Sequence, residues 1–359
     1  MKLARYELYH YSLPFSRPLV LGGTTLRRRE GLLLRLSGDD GSEGWGESAP
    51  LPGFSRESLD EAAEQLRRLA GSMADCEGTD DGVASYGELV RELGRAAPSV
   101  RFGLELAVCN LWAAYSGIPL PQLVAPSPRA EVPVNGLLSG PPVEVLEEAR
   151  IMKDAGYRSV KLKVGVRTVA EDVGLVRALL EGLGEGISLR LDANRAWGYE
   201  EAAAFARGTP RFAYVEEPLA DPARLPDLVR ELGVPVALDE SLVAMDPEAL
   251  HKHRYARAFV LKPTLLGGIS QTLRVAELAR SLGVTPVVSS AYESGVGTAA
   301  LVALSAGIGD LPVPAGLDPY RMVEGDVLET PLRLPAPSVD VREAAEASCT
   351  VDVGRLERL

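Results

Sequence analysis

Six short apolar runs in the second half of the chain each end in a charged or small polar residue, at nearly even spacing. Lys163, Asp192, Glu216, Asp239 and Lys262 follow one another at intervals of 29, 24, 23 and 23 residues, and the pair Ser289–Ser290 begins 27 residues after Lys262. Such an interval is about what one strand, one helix and two loops require. The predicted strands are Val132–Leu138, Ser159–Val164, Ile187–Asp192, Phe212–Glu216, Pro235–Asp239, Ala258–Lys262, Thr285–Ser289 and Val313–Leu317. Between them, Pro142–Ala155, Thr168–Gly182, Glu200–Arg207, Arg224–Leu232 and Ile269–Leu282 are amphipathic at helical spacing, and Gly156, Gly233 and Gly283 stand where helices stop. Eight strand–helix units predict an α/β fold of the (β/α)8-type barrel rather than an open doubly wound sheet.

The first 125 residues have a different rhythm and predict an α+β capping domain. Leu3–Tyr11, Gly31–Leu36 and Gly44–Glu47 read as strands, and Leu59–Leu69, Tyr86–Leu93 and Val100–Tyr115 as helices. Ser55 and Ser58 are both candidates to cap the first helix. Leu19–Glu30 reads as a loop with too little apolar content for a core, and Pro50–Ser55 as a second, rigid loop. The barrel is assigned to residues 126–319. The Pro-rich segment 320–359 breaks the pattern and is expected to return to the capping domain and complete it.

Composition narrows the picture. A length of 359 residues accommodates a barrel of about 250 and a smaller partner. With 46% hydrophobic and 25% charged residues, the expectation is an ordinary soluble globule. The net charge is −12 and the basic residues are scattered, so neither nucleic acid nor an anionic membrane is an expected partner. An anionic small molecule would have to be held by local cations. Cys76, Cys109 and Cys349 are widely spaced and imply no disulfide framework, which suits a reducing cytoplasm. Met1–Pro14 lacks the apolar stretch of a signal peptide, and no run approaches the roughly 18 apolar residues of a membrane span. The expected setting is cytoplasmic; the oligomeric state is open, a homo-oligomer included.

A parallel barrel gathers the C-terminal ends of its strands around one mouth. Lys161 and Lys163 stand two apart on one strand and share a face. On an isolated strand they would be solvated surface lysines; at a mouth whose next strands end in acids they read as functional. Adjacent cations beside a metal disfavour protonation, which is expected to lower a lysine pKa toward the range of a base. Asp192, Glu216 and Asp239 end three successive strands. Each alone reads equally well as a helix cap, but three convergent carboxylates require a cation. The all-oxygen set favours Mg²⁺, with Mn²⁺ as a substitute. Asn194, Glu217 and Glu240 follow these acids and read as groups supporting them. Lys262 ends the strand across the barrel, and Arg190, Ser289, Ser290 and Gly316 are candidate substrate-binding positions. Arg190, like either serine, is equally readable as structural. His251 and His253 follow no strand end and read as surface, and Gly267-Gly268 reads as a turn.

This set of residues resembles the enolase superfamily, and its KxK motif with a late lysine resembles the muconate lactonizing enzyme subgroup. The mandelate racemase subgroup carries a late histidine, and no histidine follows His253. The likeness within the subgroup is to the o-succinylbenzoate synthase family. It is carried by Gly44–Ser55 (GWGESAPLPGFS), Val160–Gly165 (VKLKVG), Leu189–Trp197 (LRLDANRAW), Val215–Pro218, Ala237–Ser241, Leu261–Thr264 and Ser289–Gly297 (SSAYESGVG). The resemblance implies Mg²⁺ ligands at Asp192, Glu216 and Asp239. It also implies a general base at Lys163, an electrostatic neighbour at Lys161 and an opposing cation at Lys262. The implied activity is dehydration of 2-succinyl-6-hydroxy-2,4-cyclohexadiene-1-carboxylate through an enediolate, in menaquinone biosynthesis. Ala291 and Tyr292 depart from the smaller polar or aliphatic residues expected in that stretch. The alternatives are an N-succinylamino acid racemase, a dipeptide epimerase, a muconate cycloisomerase and a barrel that binds without catalysing. Dipeptide epimerases carry an Asp-x-Asp on strand eight, where this chain has the single acid Asp318.

Overall fold

The computed structural model describes residues 1–21, 23–74, 93–243, 245–309 and 311–359. Strands β1 (Leu3–Leu21) and β2 (Thr24–Gly38) form a long antiparallel hairpin, flanked by β3 (Glu43–Ser48) on one side and the C-terminal β13 (Glu357–Arg358) on the other. The expected loop at Leu19–Glu30 is therefore largely strand, with Leu19 paired to Leu26 and Leu21 to Thr24. Backbone pairing satisfies a polar ribbon without any apolar face, so low hydrophobicity was a poor guide there. Helices α1 (Leu59–Ala74) and α2 (Pro98–Ser116) cover the sheet around Leu32, Leu34, Leu36, Leu66 and Leu104. Gly46 permits the close approach of β3 to α2: a Cβ there would overlap the Gly103 carbonyl oxygen. Ser58, not Ser55, caps α1, in a reciprocal pair with Glu61. Ser55 instead accepts the Leu51 amide and pins the Pro50–Ser55 loop. The helix expected at Tyr86–Leu93 lies, but for Leu93, outside the described residues.

Seven parallel strands make the barrel wall: β5 (Gly136–Leu138), β6 (Ser159–Lys163), β7 (Ser188–Asp192), β8 (Tyr214–Glu216), β9 (Val236–Leu238), β10 (Ala258–Leu261) and β11 (Thr285–Val288), each hydrogen-bonded to the next. The first expected strand is divided, because β4 (Glu131–Pro133) leaves the barrel to pair with β12 (Ser338–Asp340). The eighth is not a regular strand. Pro314 removes an amide from it, and Pro312 stands just before it; single bridges, Val134 to Ala315 and Ser289 to Gly316, take the place of a ladder. These still close the ring: Ala315 N donates to Pro133 O (2.8 Å) and Gly316 N to Val288 O (2.9 Å). Tyr214, Ala237, Ala258, Val260 and Val287 fill the interior below the mouth. Helices α3 (Pro142–Asp154), α4 (Val169–Leu183), α5 (Tyr199–Gly208), α6 (Leu225–Leu232), α7 (Ile269–Ser281) and α8 (Gly295–Gly307) alternate with the strands. Gly267-Gly268 is a turn, as its sequence predicts, whose tight packing against Glu105 lets that side chain accept the Ser270 amide. Among the described residues no helix is long and apolar enough to cross a membrane.

Candidate active site

Strand register builds the site. Lys163 pairs across the ladder with Asp192, and Asp192 with Glu216, which brings residues far apart in sequence to the roughly 4.8 Å spacing of neighbouring strands. Lys161 Nζ lies 2.8 Å from Asp192 Oδ2 and 2.7 Å from Glu216 Oε2. Lys262 Nζ lies 2.5 Å from Asp239 Oδ2. Lys163 Nζ donates to the side-chain oxygen of Asn194, whose amide nitrogen donates in turn to Glu240 Oε1 (2.7 Å). Glu217 points away from the mouth and accepts Asp239 N (3.0 Å) and Ser241 N (2.9 Å), so it holds the backbone that carries Asp239. Asn194, Arg195 and Glu217 occupy left-handed backbone conformations, with φ of 42°, 60° and 38°. Strain of this kind concentrates where the surrounding structure dictates side-chain direction.

Electrostatics separate the lysines. Burial opposes the Lys161 ammonium, but Asp192, Glu216 and Asp239 together outweigh it and hold the pKa well above the ordinary value. Burial likewise opposes the Lys262 ammonium, and Asp239 overrides it. The carboxylates that dominate the surroundings of Lys161 thus hold its proton, whereas the lowering expected above belongs to a lysine with a metal beside it. Burial raises the pKa of Glu216, reinforced by Asp192 and Asp239. At Asp192 burial pushes the same way but is outweighed by Lys161 and Lys163, and the pKa falls below normal. Burial and the neighbouring Asp239 raise that of Glu240.

A cavity of about 160 Å³ opens above these groups. Lys161, Lys163, Asp192, Asn194 and Lys262 line it, as do Ser289, Ser290 and Gly316; the hairpin residues Leu19–Leu21 and the loop residues Leu51 and Phe54 form its outer wall. Glu216 and Asp239 lie behind Lys161 and Lys262. Ser290 is engaged elsewhere, donating to Glu293 Oε2 (2.7 Å) and accepting the Tyr292 amide. Arg190 does not reach the cavity. Two residues before its strand end, it sits one layer deeper, donates to Pro314 O (2.8 Å) and packs 5.3 Å over the Tyr214 ring. His251 and His253 belong to the 3-10 turn Pro247–His253 and take no part in the cavity lining.

Several residues of the site have no local sequence signal. Tyr292, which lines the cavity, stood out only as a departure from the expected motif. Arg29, Glu47 and Glu293 are polar yet almost wholly buried between the capping sheet and the barrel. The only sequence hint of them is a charge standing inside or beside a run of small and apolar residues.

The donor set suits a hard divalent cation: Asp192, Glu216 and Asp239 are buried, all-oxygen and at the C-terminal ends of adjacent strands. Among the described residues no three His, Cys, Asp or Glu side chains are gathered closely enough to coordinate an ion as they stand. The Lys161 ammonium instead bridges two of the three carboxylates and serves them as a cation.

Comparison with known proteins adds two family matches: "Enolase C-terminal domain-like" over residues 144–347 and "MenC, N-terminal domain" over residues 3–111. The chain is 31% identical to the o-succinylbenzoate synthase of Pasteurella multocida (strain Pm70) over 91% of this chain and 92% of that one. It is 33% identical to the o-succinylbenzoate synthase of Klebsiella pneumoniae (strain 342), over 90% and 92% respectively. Among solved structures, muconate lactonizing enzyme from Pseudomonas fluorescens, complexed with muconolactone, superposes with a TM-score of 0.87 at 26% identity, covering 99% of this chain and 98% of that one.

Proposed function

Because the chain belongs to the o-succinylbenzoate synthase family of the enolase superfamily, we propose that it dehydrates 2-succinyl-6-hydroxy-2,4-cyclohexadiene-1-carboxylate to o-succinylbenzoate, a step of menaquinone biosynthesis. The chain is an enzyme of the lyase class, as its family is. The observation that carries the finer reading is the opposition of Lys163 and Lys262. Their strands β6 and β10 stand four apart in the ring, and both side chains line the cavity.

Lys161 and Lys262 are paired with carboxylates, which lock their protons in place, whereas Lys163 Nζ is held by the neutral amide of Asn194. Lys163 is therefore assigned the proton transfers, and the other two lysines fixed positive charge. Neutral Lys163 takes the proton from the ring carbon bearing the carboxylate, leaving an enediolate. The electron pair then forms the ring double bond as the C–O bond to the hydroxyl breaks. Lys163 returns its proton to the departing oxygen, which leaves as water, and the ring is aromatic. Lys262 supplies positive charge on the face opposite Lys163. Asp192, Glu216 and Asp239 would hold the divalent cation on which the superfamily depends. When bound, that cation supplies Lewis-acid stabilisation of the charge that develops on the substrate carboxylate. Asn194 and Glu240 orient Lys163, and Glu217 orients Asp239.

Asp318, the single acid of the eighth segment, is fully buried and accepts Leu137 N (2.7 Å) and Arg321 Nε (2.9 Å). It offers no carboxylate to a substrate ammonium, which argues against dipeptides. The decisive assay follows loss of the cyclohexadiene absorbance with Mg²⁺ or Mn²⁺, alongside α-proton exchange in N-succinylamino acids. Fast dehydration with slow exchange establishes the synthase; the reverse makes the enzyme a racemase. Lys163→Ala is expected to lower kcat at least about 10²-fold, and near wild-type turnover would refute its assignment as base.

A further inference from the structure

Arg29 is 2% exposed, and among the described residues it donates five hydrogen bonds, all to main-chain carbonyls. One acceptor is its neighbour Glu30. Two, Ala49 and Pro50, begin the loop that carries Leu51 and Phe54. The other two, Ala291 and Tyr292 (2.9 Å from Nε), lie in the barrel loop after β11. One guanidinium on the capping hairpin thus fastens two segments more than 200 residues apart in sequence, both of which wall the cavity. A charge buried this far is retained only where its donors are satisfied.

Tyr292 needs such fastening. Its φ of 65° is a left-handed conformation, which is unfavourable for a non-glycine residue and persists only where neighbours hold it. The holders are Arg29 on its carbonyl, Ser290 on its amide and Phe15, whose ring meets the Tyr292 ring edge-on at 5.7 Å. On the cavity side, Lys262 Nζ stands 5.9 Å above the Phe54 ring, and Tyr292 lines the same cavity. The Phe54 ring therefore flanks the cation opposite Lys163, and Tyr292 shares the cavity wall with it.

We propose that Tyr292 is a specificity-determining residue whose ring contacts the apolar body of the substrate, and that Arg29 is the positioning residue that holds it and the Leu51–Phe54 wall in place. Arg29 touches no substrate and acts through the loops. The substrate part of this inference rests on the dehydration of an aromatisable ring acid proposed above.

The test compares wild type, Tyr292→Ala, Arg29→Met and the double variant. The readouts are steady-state kinetics, calorimetric binding of o-succinylbenzoate, and amide exchange without ligand. Tyr292→Ala is expected to raise KM and product Kd about tenfold while kcat changes far less, the pattern of lost uniform binding. Arg29→Met is expected to do the same, and the double variant to be no worse than Tyr292→Ala, because both act through one ring. Amides of residues 291–294 should exchange at least about tenfold faster in Arg29→Met than in wild type, with α4 unchanged. If Arg29→Met does not fold, Arg29→Lys, which keeps the charge and reaches fewer carbonyls, takes its place. Additive effects, an unchanged KM, or a fall in kcat alone would overturn the proposal. The exchange measurement is independent of the substrate. If wild type neither turns over the ring acid nor binds the product, the functional reading has failed, while faster exchange confined to this loop still supports Arg29 as its fastener and unchanged exchange removes it.

Discussion

At the scale of single residues, the identity of a side chain and its company decide different things. Lys161, Lys163 and Lys262 were all visible as strand-end lysines, but their division of labour follows from their partners: carboxylates for two and an amide for the third. Arg190 shows the converse. Its type and two-residue offset from Asp192 suited a substrate anchor, yet Pro314 and the Tyr214 ring take its guanidinium. Gly316 acts through what it lacks, since a Cβ there would overlap Ser289 Oγ at the cavity wall. Gly316→Ala is accordingly expected to weaken substrate binding about tenfold, and Ser289→Ala in the same chain to recover part of the loss by removing the overlapping atom. Steady-state KM values of wild type and the two variants decide this; a double variant worse than Gly316→Ala would exclude the steric cause.

At the scale of elements, the capping sheet and the barrel are joined by buried carboxylates rather than by apolar contact alone. Glu47 of β3 accepts Tyr11 Oη (2.5 Å), Ser294 N (2.8 Å), Ser294 Oγ (2.5 Å) and Gly297 N (2.8 Å), and so ties the sheet to the start of α8. All four partners are donors. Glu47→Gln turns an NH₂ group toward some of them and is expected to cost about 1–3 kcal/mol. Burial raises the Glu47 pKa above its unfolded value of 4.5, against hydrogen bonds from Ser294 and Tyr11 that lower it. An acid with a raised folded pKa contributes most to stability below the unfolded value and loses that contribution as pH rises through the folded one. The deficit of Glu47→Gln relative to wild type should therefore be largest below pH 4.5 and shrink as pH rises toward neutrality. Urea unfolding of both proteins at several pH values tests the sign, and a deficit that widens with pH would contradict it. Element boundaries were legible where a pattern is local: α3 spans Pro142–Asp154 against an expected Pro142–Ala155, and β6 spans Ser159–Lys163 against Ser159–Val164. The hairpin at Leu19–Glu30 was not, because its pairing partner, rather than its own polarity, makes it strand.

At the scale of the whole molecule, the three carboxylates in the cavity floor are paired with Lys161 and Lys262. A divalent cation that binds there should raise the melting temperature by mass action, about 2.7 kcal/mol at a hundredfold excess over Kd. Asp239→Asn should abolish that rise; an equal Mg²⁺ shift in the variant would place the ion elsewhere. What the sequence by itself determined is the architecture and the chemical inventory. Apolar runs and amphipathic stretches are local patterns, and parallel strands of one handedness carry their C-terminal residues to one mouth whatever the loops do. Lys163, Asp192, Glu216, Asp239 and Lys262 could thus be grouped from spacing alone. Only the tertiary structure decided which acid each lysine pairs with, that the eighth segment closes the ring through single bridges, and that Arg29 and Glu47 fasten the cap over the cavity. Those contacts join residues as far as 263 positions apart. They depend on how two independently patterned units meet, which no periodicity within either unit encodes.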